Sequence, residues 1–225
     1  MTLRPRSIAK FLIAVSAVYA AVALSIGCLR RPSLAPDSLL YKGPTELSVK
    51  PGESFPGTGL QYVGITDKMA EMRIDGQRAL KKAGDSLDWS GSPSTGVQLD
   101  LAMRILLISE QSLHAGGTVS LEIADVNPQA AAVSSASETK FTVPVTYAVD
   151  KGETIAGTLI AYEGRDEEKG AKLGGIPDYP YRKTGDSIVW EGRLRDNVSL
   201  RLDLRVLLYS ESTLRVGGTA TIWVD

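Results

Sequence analysis

Val97 to Ile123 reads VQLDLAMRILLISEQSLHAGGTVSLEI, and Val198 to Val224 reads VSLRLDLRVLLYSESTLRVGGTATIWV. In the later stretch Val198, Leu200, Leu202, Leu204, Val206 and Leu208 alternate with Ser199, Arg201, Asp203 and Arg205. A period of two is the signature of a strand with one face buried, because successive side chains point to opposite faces. The earlier stretch repeats it with Val97, Leu99, Leu101, Met103, Ile105 and Leu107 facing inward. Leu207 and Tyr209 break the polar face near the end of the run. A run of this length accommodates a bend or bulge there. The Gly-Gly-Thr steps at Gly116 and Gly217 predict a turn, followed by short alternating strands.

Working outward, the two stretches belong to a larger duplication. VKPGESFPGTGLQYVG from Val49 recurs as VDKGETIAGTLIAYEG from Val149, and KKAGDSLDWSG from Lys81 recurs as RKTGDSIVWEG from Arg182. The offsets are 149 − 49 = 100 and 182 − 81 = 101, in constant order. A period near one hundred is too long for a solenoid repeat or a propeller blade. The chain is therefore all-β, a tandem pair of small antiparallel β-sandwich or open-barrel domains, at six or seven short strands per copy. The expected boundaries are residues 45–125 and 140–225, joined by the Ala/Ser-rich linker 126–139 and preceded by an extended spacer at 31–44. Asp67 to Lys82 alone has a helical look. Its counterpart, Arg165 to Tyr181, is rich in Gly and Pro, so a variable loop region is expected at both places.

Residues 1–30 read as a membrane anchor or signal segment. Phe11 to Leu29 is free of charge and long enough to cross a hydrocarbon core of about 30 Å as a helix. Arg4, Arg6 and Lys10 before it favour a cytoplasmic N-terminus and an uncleaved signal anchor. Gly27-Cys28 resembles a lipobox, which would make Cys28 a lipidation site, but Ser25 stands where that motif usually has leucine. Cleavage near Ala23 to Ser25 and plain secretion is the third reading. All three place the bulk of the chain outside the cytoplasm, and the first two bind it to the cell membrane.

Charge distribution narrows the partners. The first 42 residues hold six basic residues and one acid, about +5, and −1 − 5 leaves about −6 for the rest. An acidic ectodomain offers no counter-charge to a phosphate backbone, so nucleic acid is not an expected partner. One Cys and one His exclude a Cys/His zinc site on count. A Ser-His triad would have to use His114. No nucleotide loop, HExxH, GxSxG or paired CxxC is present.

The remaining conspicuous residues have ordinary explanations. Asp85 and Asp186, in matched Gly-Asp-Ser turns, are expected to bond their own backbone rather than calcium. Glu110 and Glu211 supply one carboxylate per copy, too few for glycoside hydrolysis and suited to ion pairs with neighbours. Trp89 and Trp190 fall beside Leu87 and Ile188 and are expected in the core rather than stacked on sugar. Asn197-Val198-Ser199 fits the glycosylation pattern only weakly. Gly164 to Lys183, the most divergent segment, carries Tyr179 and Tyr181 between prolines, a composition suited to protein contact. The expectation is a non-enzymatic structural or assembly module, without cofactor or metal, that contacts another protein. An envelope polysaccharide binder is the alternative, and an unrecognised hydrolase comes third.

Overall fold

The computed structural model describes residues 37–133, 137 and 139–225. The anchor segment, Cys28 and most of the spacer lie outside the described residues. No helix among the described residues is long and apolar enough to cross a membrane.

The first copy contains β1 (Leu39–Val49), β2 (Leu60–Thr66), β3 (Met69–Ile74), β4 (Gln77–Lys81), β5 (Ser86–Ser94), β6 (Val97–Ile108) and β7 (Leu113–Ile123). β8 (Gln129–Ala130) follows, then the second copy: β9 (Thr139–Asp150), β10 (Ala161–Asp166), β11 (Gly170–Gly174), β12 (Tyr181–Arg182), β13 (Ser187–Arg195), β14 (Val198–Tyr209) and β15 (Thr213–Val224). Each copy has one large sheet, β1-β7-β6-β5 or β8-β13-β14-β15-β9, and one small sheet, β2-β3-β4 or β10-β11-β12. All pairings are antiparallel. The fold is all-β.

The alternation places the core. Val97, Leu99, Leu101, Met103 and Ile105 are buried on β6, as are Val198, Leu200, Leu202, Leu204 and Val206 on β14. The expected inward positions of Leu107 and Leu208 are overturned, because both lie on the surface. A bulge interrupts the register between Ile105 and Leu107 and again between Val206 and Leu208. One extra residue reverses the inside-outside parity, so Leu106 and Leu107, like Leu207 and Leu208, all face solvent.

The expected variable loop at Asp67 to Lys82 is a second correction. It is the β3–β4 hairpin, with its turn at Asp75 (φ 49°) and Gly76 (φ 84°). Both turn residues lie in the left-handed region, as a two-residue hairpin turn demands. β1 begins at Leu39, inside the stretch expected as spacer, and pairs along its length with β7. β8 falls inside the expected linker and pairs with β13.

The copies meet through reciprocal contacts. Ser94 Oγ donates to the Asp225 carbonyl (2.9 Å), and Arg195, the counterpart of Ser94, donates to the carbonyl of Ala124, the counterpart of Asp225 (2.8 Å). A Cβ on Gly57 would meet Thr139 Cγ2 at 3.0 Å, and one on Gly157 would meet Leu39 Cδ1 at 3.0 Å. Gly43 packs on Val143, its own counterpart. Contacts that occur twice with roles exchanged define an isologous interface, here within one chain and about an approximate twofold axis. Tyr41 and Tyr147 pack against the core with buried hydroxyls that act on each other across the interface, and neither completes a hydrogen bond of good geometry among the described residues.

Candidate functional site

The repeated polar residues turn out to hold the scaffold. Asp85 Oδ2 accepts from Lys82 N (2.8 Å) and Asp186 Oδ2 from Lys183 N (2.7 Å), so each aspartate closes its own turn. Arg104 and Arg205 donate to the carbonyls of Gly84 and Gly185 in those turns, at 2.9 and 3.0 Å. Tyr62 and Tyr162 are buried and donate to the carbonyls of Ser109 and Ser210. Burial pushes both phenols up. Glu211 pairs with Lys151, which holds its carboxyl below the usual range. Trp190 and Trp223 are buried, whereas Trp89 is half-buried with Nε1 donating to Asp75 Oδ1 (3.2 Å). Gly91 and Gly192 make room for the two strand tryptophans, since a Cβ there would lie 2.5 and 2.4 Å from the indole rings.

His114 stands in a chain of polar groups that sequence spacing does not reveal. Its Nε2 is 3.0 Å from Ser112 Oγ, and its Nδ1 is 3.7 Å from Glu46 Oε1. The order Ser-His-Glu is that of a hydrolase triad, but the local groups do not complete one. The amides of Gln111 and Ser112 already donate to Ser109 Oγ, so neither is free to hold an oxyanion. At 3.7 Å the carboxylate is beyond hydrogen-bond range, and Glu46 is largely in water. In the second copy the same positions are Thr213, Arg215 and Thr146. Among the described residues no group of three or more His, Cys, Asp or Glu is placed to hold a metal ion.

The divergent segment builds a different kind of surface. Tyr179 and Tyr181 are brought together, with ring centroids 5.3 Å apart and planes tilted by 53°. Arg182 fixes them from below: Nη1 donates to the carbonyls of Tyr179 and Tyr181, and Nε to that of Ser187 (3.1 Å). Lys169 Nζ stands 5.1 Å from the Tyr181 ring, a cation over an aromatic face. Lys169 is itself positioned by the β10–β11 turn, where Asp166 Oδ1 accepts from the amides of Glu168 and Lys169. Those backbone donors lower the Asp166 pKa. The result is an open depression of about 460 Å³ lined by the two tyrosines, Lys169, Arg182, Lys183 and Glu168. Tyr179 is 61% exposed. In the first copy the equivalent of Tyr179 is Arg78, bound to Glu71, and the equivalent of Tyr181 is Leu80. Comparison with protein families, with characterised proteins and with solved structures gives no match to this chain.

Proposed function

We propose that this chain is a non-catalytic, membrane-tethered module, two β-sandwich copies held outside the cytoplasm by the segment at residues 11–29, that contacts another protein in a cell-surface or membrane assembly. The observation that carries the reading is the tyrosine loop. It is the place where the copies depart most from each other, and it presents a large, fixed aromatic surface beside basic side chains. Rigid tyrosines bury much area at small entropic cost, which is why they anchor protein interfaces. A polysaccharide is the second reading for the same surface. The 53° tilt between the rings favours a protein, because a sugar ring stacks best on a flat platform.

The test is purification from native membranes in mild detergent, comparing the natural chain with the Tyr179→Ser/Tyr181→Ser variant. The expected result is one protein that co-purifies with the natural chain and is lost from a variant with an unchanged melting temperature. Identical co-purification would remove the loop from the argument. Reaction of Ser112 with a fluorophosphonate probe would overturn the non-catalytic reading. Intact mass decides the tether: a retained segment supports the anchor, and a chain starting at acylated Cys28 replaces it with a lipid.

A further inference from the structure

The molecule treats two equivalent sheet edges differently. On β13 the outer edge is covered by β8, with Gly192 opposite Ala130 and Arg193 opposite Gln129. The amide of Ala131 points at the carbonyl of Glu191 (3.4 Å). On β5 no strand among the described residues lies outside the sheet. The backbone groups of Ser90 and Ser92, the counterparts of Glu191 and Arg193, point outward from that edge. Natural edges are usually blunted by lysines, prolines, bulges or covering segments. β5 carries no lysine, and its register shift, which includes Pro93, begins only at Ser92, where β13 has the matching shift and still pairs with β8 at Arg193.

The side chains around this edge are also unlike those of its twin. Asp88 and Asp100 lie exposed on the outer face, Asp100 accepting from Ser90 Oγ (2.5 Å). Asp75 lies across the edge beside the Trp89 indole. None of these three carboxylates belongs to an ion pair among the described residues. In the second copy Asp88 is replaced by Val189 and Asp100 by Arg201, and Arg201 neutralises both Glu191 (2.5 Å) and Asp203 (2.8 Å). The covered edge is thus internally balanced, and the open edge keeps unbalanced negative charge on both faces.

We propose that the outer edge of β5, from Asp88 to Ser92, is a strand-addition site for an extended, small-residue segment of a partner protein bearing lysine or arginine. The segment adds antiparallel in the register that β8 uses on β13. Main-chain hydrogen bonds to Ser90 and Ser92 supply the affinity. Alternate side chains reach Asp88 and Asp100 on one face and Asp75 on the other, which supplies the selection for basic residues. A second copy of this chain is a poor occupant, because it would bring the same carboxylates against themselves. The site is separate from the tyrosine loop.

The test uses the full chain and a synthetic peptide carrying residues 127–132, the β8 segment, flanked by a lysine at each end. Hydrogen exchange across residues 87–92 is followed by mass spectrometry. Saturating peptide is expected to slow exchange there about tenfold or more. A glutamate-flanked peptide should bind at least about tenfold more weakly. Ser90→Pro, which removes an outward donor without touching the β6 ladder, should abolish the effect, and Tyr179→Ser should leave it intact. Four results would overturn the proposal. They are no protection by the lysine peptide, equal protection by the glutamate peptide, β5 amides already slow at every dilution of the free chain, and protection that rises with protein concentration alone. The third would mean that the chain covers its own edge, and the fourth that a second copy does.

Discussion

The two copies keep the same seven strands and the same three register shifts, yet differ where β3–β4 faces β11–β12. In the first copy this region is a tight hairpin pinned by Arg78 on Glu71 (2.8 Å), which holds the Glu71 carboxyl down to about 2. In the second, β12 is reduced to two residues, and the tyrosine pair is formed by Tyr179 in the chain before it and Tyr181 at its start. Positions that match across the copies, such as Tyr62 and Tyr162 or Asp85 and Asp186, are engaged in holding backbone. Positions that differ include the exposed Tyr179, which replaces Arg78. In a duplicated protein the internal comparison therefore separates scaffold from surface without any second sequence.

The comparison breaks most easily at the shared core. Leu101 and Leu202 occupy matched, fully enclosed positions, and Leu101→Ala and Leu202→Ala should each destabilise by about 2–5 kcal/mol. Denaturant melts giving unequal losses beyond that range would show that the copies are not equivalent scaffolds. The Gly-Gly-Thr steps come next; the turn expected there is overturned, because both steps run unbroken inside β7 and β15 and pair with β6 and β14. A Cβ on Gly117 would lie 2.2 Å from the Ala102 carbonyl oxygen, and one on Gly218 2.0 Å from that of Asp203. Neighbouring Gly116 faces only the movable end of Leu106, and Gly217 meets that of Leu207 at 3.0 Å with Thr146 and the Val145 carbonyl in ordinary contact. Gly117→Ala and Gly218→Ala should cost about 1–3 kcal/mol, and Gly116→Ala and Gly217→Ala clearly less.

The interface between copies is probed through Tyr41 and Tyr147. Burial pushes both phenols up, Tyr147 to about 12. A raised pKa means that the native state holds its proton where the unfolded chain, titrating near 10, has lost it. The associated stability is complete below about pH 10 and falls as pH rises from there toward 12. Tyr147→Phe should flatten that alkaline limb by on the order of 1 kcal/mol and cost less than about 1 kcal/mol at pH 7, since among the described residues the hydroxyl meets only that of Tyr41, in poor geometry. A loss above about 1 kcal/mol at pH 7 would show that the hydroxyl is satisfied after all. The smallest effect belongs to the bulge. Leu107→Ser and Leu208→Ser should stay within about 0.5 kcal/mol, as exposed substitutions do. A melt showing core-sized losses would restore the uninterrupted alternation.

Strand identity was legible wherever apolar residues alternate without interruption, as from Val97 to Ile105. The pattern misled at Leu107 because a bulge adds one residue that nothing in a run of Leu and Ile marks. The β3–β4 hairpin was legible in principle: Asp75-Gly76 is a strong two-residue turn signal, obscured by the helix-like composition around it. β8 leaves no trace, since two residues of Gln and Ala pair through main chain alone. The interface between copies is equally silent, because its acceptors are mostly main-chain carbonyls, those of Thr95, Ala124 and Asp225 among them. Pairing of Tyr179 with Tyr181 was readable from their spacing. The hold of Arg182 on their carbonyls and the approach of Lys169 from another turn were not.

The reciprocal interface has a consequence for valence. Two identical subunits about a twofold axis display every surface twice, and any partner they recruit arrives in pairs with no preferred direction. Joining the two halves in one chain removes that constraint. Among the described residues the tyrosine pair occurs once, and so does an edge without a covering strand like that of β5. Symmetric packing thus supports two halves with different surfaces, and on the two proposals above their partners would meet the molecule in a one-to-one-to-one ratio.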